Sequence, residues 1–231
     1  MTNPALIQLQ GVSRSVPIPG GSPLKLLDSI DLTVRAREIL AITGTSGSGK
    51  STLLATLGLL TPPDSGTIEL LGRDTTRASD RALSKLRNAH IGFVFQSYSL
   101  IRHLTAYENV ELPLLLGPAR SRKNRKERVL ALLDAVGLAD RRKSHPRQLS
   151  GGEQQRVAIA RSLVVGPDLI LADEPTGALD EGTADSVLSS LIGVTRTEGC
   201  ALILVTHDSK VASRATRLLR LSSGRLSEAN A

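Results

Sequence analysis

The chain alternates between short apolar runs and longer segments in which apolar residues recur at helical spacing. Residues 6–10 and 29–34 alternate apolar and polar positions, as half-buried strands do. Further strands are predicted at 38–43, 66–71, 91–95, 169–173, 201–206 and 216–221, the last of them forming a hairpin with 225–226. Helical patterns lie at 50–60, 79–90, 105–116, 121–136, 151–165, 182–197 and 208–215. Strands that alternate with helices predict an α/β fold with a mainly parallel, doubly wound sheet.

A stretch of helical patterns alone interrupts this alternation between about residue 97 and residue 166. Core strands are predicted on both sides of it, so the stretch is interpreted as an inserted α-helical subdomain. Neither an internal repeat nor a low-complexity linker divides the chain. We therefore expect one domain over residues 1–231, with its core at 1–96 and 167–231.

Composition narrows the class of protein. The 231 residues are 40% hydrophobic, which is enough to build a core and argues against disorder. A single cysteine excludes a disulfide framework and a cysteine-built metal site. With two Phe, two Tyr and no Trp, the chain lacks the aromatic surfaces on which single-stranded nucleic acids stack.

The net charge of +7 is concentrated in one stretch. Residues 120–147 contain ten Lys or Arg and three Asp or Glu, so the rest of the chain is neutral. We expect no nucleic-acid partner, and two interpretations of the stretch remain open. It forms an ordinary solvated helix face, or it is attracted to anionic lipid headgroups. Its cations are Arg120, Arg122, Lys123, Arg125, Lys126, Arg128, Arg141, Arg142, Lys143 and Arg147.

No segment resembles a signal peptide, and no run approaches the roughly 20 apolar residues that span a bilayer. The expected location is therefore the cytoplasmic side of the cell (inner) membrane. If the protein serves a membrane, we expect it to be peripheral and to act through another chain.

Residues 44–51 (GTSGSGKS) fit the pattern G-x-x-x-x-G-K-[ST] between a predicted strand and a predicted helix, the context that supports a P-loop. Its glycines let backbone N–H groups surround phosphate oxygens, and the helix start adds positive potential. Lys50 is expected to reach the β- and γ-phosphates, and the Ser51 hydroxyl to ligate Mg²⁺. The candidate nucleotide-binding residues here are Gly44, Thr45, Ser46, Gly47, Ser48, Gly49, Lys50, Ser51 and Thr52.

Two further motifs carry candidate chemistry. The strand at 169–173 ends in Asp173 and Glu174, which suit a Mg²⁺ ligand and a residue that orients or deprotonates water. Residues 149–156 (LSGGEQQR) begin a predicted helix with Ser150 as N-cap, and this start is a second candidate anion site. Spacing alone also allows an ordinary capped helix.

The sequence LSGGEQQR resembles the signature motif of the ATP-binding cassette (ABC) family, and the other family elements surround it in order. Gln96 is similar to the Q-loop glutamine, Asp173-Glu174 to the Walker B pair, residues 178–180 to the D-loop, and His207 to the switch histidine. The resemblance covers residues 5 to about 228. It implies a P-loop NTPase with a mainly parallel core sheet, an antiparallel β subdomain and the inserted helical subdomain.

The resemblance also implies an ATPase mechanism. Two copies pair head to tail, and each ATP lies between one chain's P-loop and the other's signature residues. Glu174 is then catalytic, with His207 and Lys50, while Ser51, Gln96 and Asp173 hold Mg²⁺. Dimerisation on ATP drives a membrane permease. The signature residues expected to bind nucleotide in trans are Ser150, Gly151, Gly152 and Glu153.

Finer similarities point to the lipoprotein-release and macrolide-export type (LolD/MacB), most of all to its YbbA-like branch. That type implies a permease with a large extracytoplasmic domain and export or membrane extraction. The residues after Gln96, from Tyr98 to Tyr107, would then receive the permease, although internal packing is the alternative.

The sequence departs from the family pattern at one position, because Val16 occupies or adjoins the usual adenine-stacking aromatic position. Adenine would therefore rest on aliphatic side chains or on Arg14, with weaker ATP affinity and weaker preference for adenine.

Other functions remain as alternatives. A soluble ABC ATPase that is not coupled to transport would share every motif, although such proteins typically carry two cassettes, zinc-binding cysteines or a long coiled coil. P-loop kinases and GTPases lack a segment like 149–156, and no guanine-reading Asn-Lys-x-Asp motif is present. The transported substrate is not encoded in these motifs.

Overall fold

A computed structural model describes residues 5–116 and 124–229 of the chain. Its strands are β1 (Ala5–Val16), β2 (Leu24–Arg35), β3 (Ile39–Thr43), β4 (Ser65–Leu70), β5 (Arg73–Asp74), β6 (Ile91–Phe95), β7 (Leu169–Asp173), β8 (Ala201–Val205), β9 (Arg217–Ser222) and β10 (Arg225–Glu228). Its helices are α1 (Lys50–Leu57), α2 (Asp80–His90), α3 (Ala106–Leu116), α4 (Arg125–Ala135), α5 (Gly151–Leu163), α6 (Glu181–Glu198) and α7 (Ser209–Ala212).

The chain divides into two compact units. The first unit contains the described residues up to Arg87 and from Ile203 onwards, and the second runs from Asn88 to Leu202. The predicted helical subdomain at 97–166 lies within the second unit, together with β6, β7 and α6. Its limits stay a prediction, as does the single-domain organisation.

The first unit contains an antiparallel sheet in the order β2-β1-β4-β5. Strands β1 and β2 are twelve residues each, longer than the alternation predicts, because register shifts interrupt their pairing and with it the period of two. In β1, Leu6, Ile7, Leu9 and Val12 are buried. The same unit pairs β3 with β9 in parallel and β9 with β10 as a hairpin.

Helix α1 ends at Leu57, three residues before the predicted end at 60. Gly58 caps it, and Leu59 then adopts a left-handed backbone with φ of 54°. The two prolines that end the predicted helix stand at 62 and 63, so the chain leaves the helix before it reaches them.

The second unit pairs β6 with β7 in parallel and buries the facing sides of its helices. Val110 of α3, Val129 and Leu132 of α4, and Ile159 of α5 are buried together with Leu171 of β7. Such burial at helical spacing explains why apolar periodicity located these helices. The parallel pairs of both units confirm the α/β class and the mainly parallel core sheet.

Candidate functional site

The P-loop occupies the turn from β3 into α1, as predicted, and two of its glycines are required by close packing. A Cβ at Gly44 would lie 2.4 Å from the carbonyl oxygen of Leu221, and one at Gly49 would lie 2.4 Å from that of Leu26. Gly49 also has a φ of 101° and caps α1, and Gly47 has a φ of 77°. Side chains at these positions would displace the loop.

The start of α1 suits an anion. Gly49 offers no side chain to cap the helix, and the first turn contains no acidic residue. The Lys50 ammonium donates hydrogen bonds to the carbonyl oxygens of Gly44 (2.8 Å) and Thr45 (2.9 Å) within the loop. The Ser48 hydroxyl is buried and has no hydrogen-bond partner among the described residues. Uncapped N–H groups, an ammonium and an unsatisfied hydroxyl are donors that fit phosphate.

The first unit also holds the predicted switch histidine. His207 is exposed and directly follows the buried Thr206 at the end of β8. The Thr206 N–H donates to the carbonyl oxygen of Ile42 in β3, at 3.2 Å. The Asp208 N–H donates to the Thr206 hydroxyl at 3.0 Å, and the Asp208 carboxylate caps α7. These bonds fix the turn that carries His207.

In the second unit, β6 and β7 end side by side, with Phe95 paired to Asp173. Gln96 and Glu174 are the next residues, so the two predicted site residues lie at adjacent strand ends. A Cβ on Gly177 would lie 3.0 Å from Nε2 of Gln96 and 3.5 Å from Cβ of Glu174. Glu174 has a φ of 46°, in the left-handed region that a glutamate rarely adopts. Such backbone strain clusters at functional sites.

Helix α5 starts with a reciprocal capping box. The Ser150 hydroxyl accepts from the Glu153 N–H at 3.2 Å, and the Glu153 carboxylate accepts from the Ser150 N–H at 2.8 Å. These bonds, led by the Ser150 N–H, hold the pKa of Glu153 below its usual value, and Arg141 at 3.2 Å adds to this. The carboxylate of Glu153 is therefore engaged by its own helix start.

The two signature glycines have a packing role that the motif did not reveal. A Cβ on Gly151 would lie 2.8 Å from the Tyr98 hydroxyl and 3.2 Å from Cδ2 of Leu179. A Cβ on Gly152 would lie 2.4 Å from Cγ2 of Thr183 in α6. The signature start therefore packs against the segment after Gln96 and against the start of α6, where Asp180 is the N-cap.

Two residues of α5 that the sequence analysis did not single out also contact this region. Gln155 is fully buried and donates to the carbonyl oxygen of Pro175, and Arg161 donates to those of Tyr98 and Ser99. Burial lowers the pKa of Arg161. The one feature of the sequence that could have pointed to these two residues is that they are polar within a helix rich in Ala, Val and Ile.

The two supports predicted for adenine, the Arg14 guanidinium and the aliphatic side chains around Val16, lie in the last residues of β1. Val16 is half-buried at the end of β1 and is paired with Leu24 of β2. The guanidinium of Arg14 forms an ion pair with Asp64 at 2.6 Å. Leu24 and Ile18 expose 49% and 44% of their surfaces, so aliphatic side chains are the surface available near Val16.

Comparisons with known proteins identify the family of the chain. The chain matches the ABC transporter family over residues 27–177. It is 47% identical to the macrolide export ATP-binding/permease protein MacB of Burkholderia pseudomallei over 98% of this chain, and equally to that of Sodalis glossinidius. These matches cover 34% of each relative, so the chain spans about a third of their length.

Solved structures extend the likeness to the fold. A dimeric, post-hydrolysis structure of the ATP-binding cassette MJ0796 bound to ADP and Pi is 38% identical, with a TM-score of 0.86. The alignment covers 97% of this chain and 99% of that one. A second dimeric structure of MJ0796 gives a TM-score of 0.85. The chain therefore belongs to the ABC transporter family, as one of its ATP-binding, ATP-hydrolysing cassettes.

Proposed function

We propose that two copies of this chain close on ATP and reopen after hydrolysis, and that this cycle drives a membrane permease. The observation that supports this best is that one chain carries both a P-loop at the start of α1 and a signature sequence at the start of α5. Each unit contains one of them. A head-to-tail dimer gives both a role, since the P-loop of one copy and the signature of the other would hold the same nucleotide.

The P-loop residues 44–52 are proposed to bind the phosphates, with Lys50 at the β- and γ-phosphates. Ser51, Gln96 and Asp173 would hold Mg²⁺, since hydroxyl, amide and carboxylate oxygens are the ligands it prefers. When bound, the ion neutralises phosphate charge. Glu174 would orient or deprotonate the attacking water, and His207 would contact the γ-phosphate. The residues proposed to bind nucleotide in trans are those of the signature start, which are Ser150, Gly151, Gly152 and Glu153.

The partner is proposed to be a permease of the export or membrane-extraction type, with a large extracytoplasmic domain. The similar MacB proteins are named ATP-binding/permease proteins, and this chain matches a third of their length. The described residues contain no helix that is both long and apolar enough to cross a membrane. The proposed location is the cytoplasmic face of the inner membrane, where the chain would be peripheral and attached through that permease.

The proposed docking region for the permease consists of five half-buried residues, which are Tyr98, Leu100, Ile101, Leu104 and Tyr107. Tyr107 donates a hydrogen bond to Glu111 at 3.3 Å, and burial, together with the charge of Glu111, raises the pKa of Tyr107.

A soluble ABC ATPase that is not coupled to transport is the competing function. Fractionation after co-expression with the permease separates the two, since a chain that stays in the soluble fraction would contradict the transport proposal.

The basic stretch is proposed to approach anionic lipid headgroups, but part of its charge is used within the second unit. Arg125 pairs with Glu111, Arg128 with Glu198, and Arg141 with Glu153. Arg120, Arg122 and Lys123 lie outside the described residues. Vesicle binding that rises with anionic lipid and falls with salt would support this contact, and binding indifferent to both would remove it.

The hydrolytic role of Glu174 is tested by Glu174→Gln. The amide keeps the size of the side chain but cannot accept a proton, so we expect ATP binding to persist while hydrolysis is lost. Glu181→Gln removes the same charge from the first turn of α6 and is the matched control. A Glu174→Gln protein that hydrolyses ATP at the normal rate would refute the assignment.

A further inference from the structure

Two polar side chains of α5 contact the backbone on both sides of Gln96. Gln155 lies in the first half of the helix and is fully buried, and Arg161 lies in its last turn and is half-buried. Burying an amide or a guanidinium costs free energy unless its polar atoms form hydrogen bonds, so these two side chains differ from the apolar residues that fill the core. Their partners are therefore informative.

Gln155 joins the ends of β6 and β7. Its Nε2 donates to the carbonyl oxygen of Pro175 at 2.6 Å and, over a longer 3.4 Å, to that of Phe95. Phe95 immediately precedes Gln96, and Pro175 immediately follows Glu174. The Oε1 atom of Gln155 is buried without a partner among the described residues. The amide nitrogen therefore connects Phe95, in the last pair between β6 and β7, with Pro175, two residues after the end of β7.

Arg161 holds the chain on the other side of Gln96. Its guanidinium donates to the carbonyl oxygens of Ser99 at 2.5 Å and Tyr98 at 3.0 Å. Tyr98 and Ser99 have φ values of 58° and 51°, a left-handed pair that non-glycine residues adopt at a cost. The two charge-assisted hydrogen bonds from Arg161 stabilise this backbone, in addition to the bond from the Tyr98 N–H to the carbonyl oxygen of Phe95.

We propose that Gln155 and Arg161 are positioning residues for ATP hydrolysis, which hold Gln96 beside the turn that follows Glu174. The inference rests on the roles proposed above for Gln96 and Glu174. Both side chains stand on the helix that begins at Gly151. The signature start and the strand ends therefore share one rigid element, through which nucleotide contact at the signature would reach Gln96.

The test uses Gln155→Met, which keeps the length of the side chain and removes both donors. We expect kcat to fall by about tenfold or more, because small displacements of catalytic groups are costly. The Mg²⁺ concentration for half-maximal activity should rise, while ATP binding in the absence of Mg²⁺ stays unchanged. Arg161→Met should act in the same direction. Ile159→Val lowers stability in the same buried helix without removing a hydrogen bond and is the control.

Gln96→Ala, measured in parallel, separates the failure of this inference from that of the proposed function. We expect the double variant Gln96→Ala/Gln155→Met to lose little more than Gln96→Ala alone, since residues acting as one unit are not additive. If Gln96→Ala leaves kcat unchanged, the proposed role of Gln96 is wrong. If Gln96→Ala lowers kcat but Gln155→Met only lowers Tm, as Ile159→Val does, then Gln155 is merely structural and the inference is overturned.

Discussion

Gly152 lies so close to Thr183 of α6 that a larger side chain would meet it. The signature motif implies nucleotide binding for its glycines, and the structure adds a packing constraint, because a Cβ at Gly152 would lie 2.4 Å from a methyl group of Thr183. Thr183 is branched at Cβ, so its methyl cannot easily rotate away in a helix. The signature sequence could not reveal this contact, because α6 follows it only after β7.

This contact predicts that a side chain at position 152 destabilises the protein and that a second substitution restores the stability. Gly152→Ala should lower the free energy of unfolding by about 1–3 kcal/mol through overpacking. Thr183→Ser removes the methyl and keeps the backbone N–H that donates to Asp180, so Gly152→Ala/Thr183→Ser should recover most of the loss. Denaturant unfolding of the four proteins measures this. Equal destabilisation with and without Thr183→Ser would contradict the packing explanation.

Val16 gives a second prediction at a single position. We expect adenine to rest on the aliphatic surface near Val16, with the guanidinium of Arg14, which is paired with Asp64, as the alternative. We expect ATP and GTP to bind with similar affinity. Val16→Tyr should tighten the binding of both, by about two- to tenfold, from the added aromatic stacking.

Equilibrium titration with a fluorescent nucleotide, competed by ATP or GTP, gives both affinities. Leu116→Val changes an exposed aliphatic residue at the end of α3, in the second unit, and should leave them unaltered. Much tighter binding of ATP than of GTP by the unmodified chain would show that another feature reads adenine.

Helix α4 shows how an element acquires a role that its sequence does not predict. Arg128 belongs to the basic stretch, which the sequence analysis treated as a surface. Its guanidinium forms a bidentate pair with Glu198 of α6, with contacts of 2.5 and 2.9 Å, and donates to the carbonyl oxygen of Leu163 at 2.9 Å. It therefore joins α4 to the end of α5 and to α6, within the second unit.

The geometry predicts that a lysine cannot replace this arginine. Arg128→Lys keeps the charge but loses the planar fork, and we expect the free energy of unfolding to fall by about 1–2 kcal/mol. Arg147→Lys, at an exposed position of the same stretch, should change it by no more than about 0.5 kcal/mol. Thermal or urea unfolding provides the measurement. If the two substitutions have equal effects, Arg128 is an ordinary surface cation.

Elements were predictable where one physical rule dominated. The runs at 91–95 and 169–173 match β6 and β7 in full, because a strand buried on both faces is simply a continuous apolar run. The outer halves of β1 and β2 were missed, since register shifts and half-exposed positions hide the alternation there. The two-residue strand β5 is too short to have any period.

At the scale of the whole molecule, the fold class and the family were predictable because the phosphate-binding loop, the signature and the acidic strand end each have a fixed local chemistry. The positions of Gln155 and Arg161 were not, since their partners are backbone carbonyls brought near only by folding. The structure also shows that the net charge of +7 is not all available to a partner. Part of this charge is neutralised by ion pairs within the second unit. The pairs are Arg125–Glu111, Arg128–Glu198 and Arg141–Glu153.

The central claim is that ATP joins two copies of this chain through the P-loop of one and the signature of the other. The most direct measurement is the solution mass of Glu174→Gln, by light scattering, with and without saturating ATP. We predict that the mass doubles from the 24.5 kDa of one chain when ATP is added. The same protein carrying Lys50→Ala should stay monomeric. A Glu174→Gln protein that binds ATP yet keeps the mass of one chain would contradict the account.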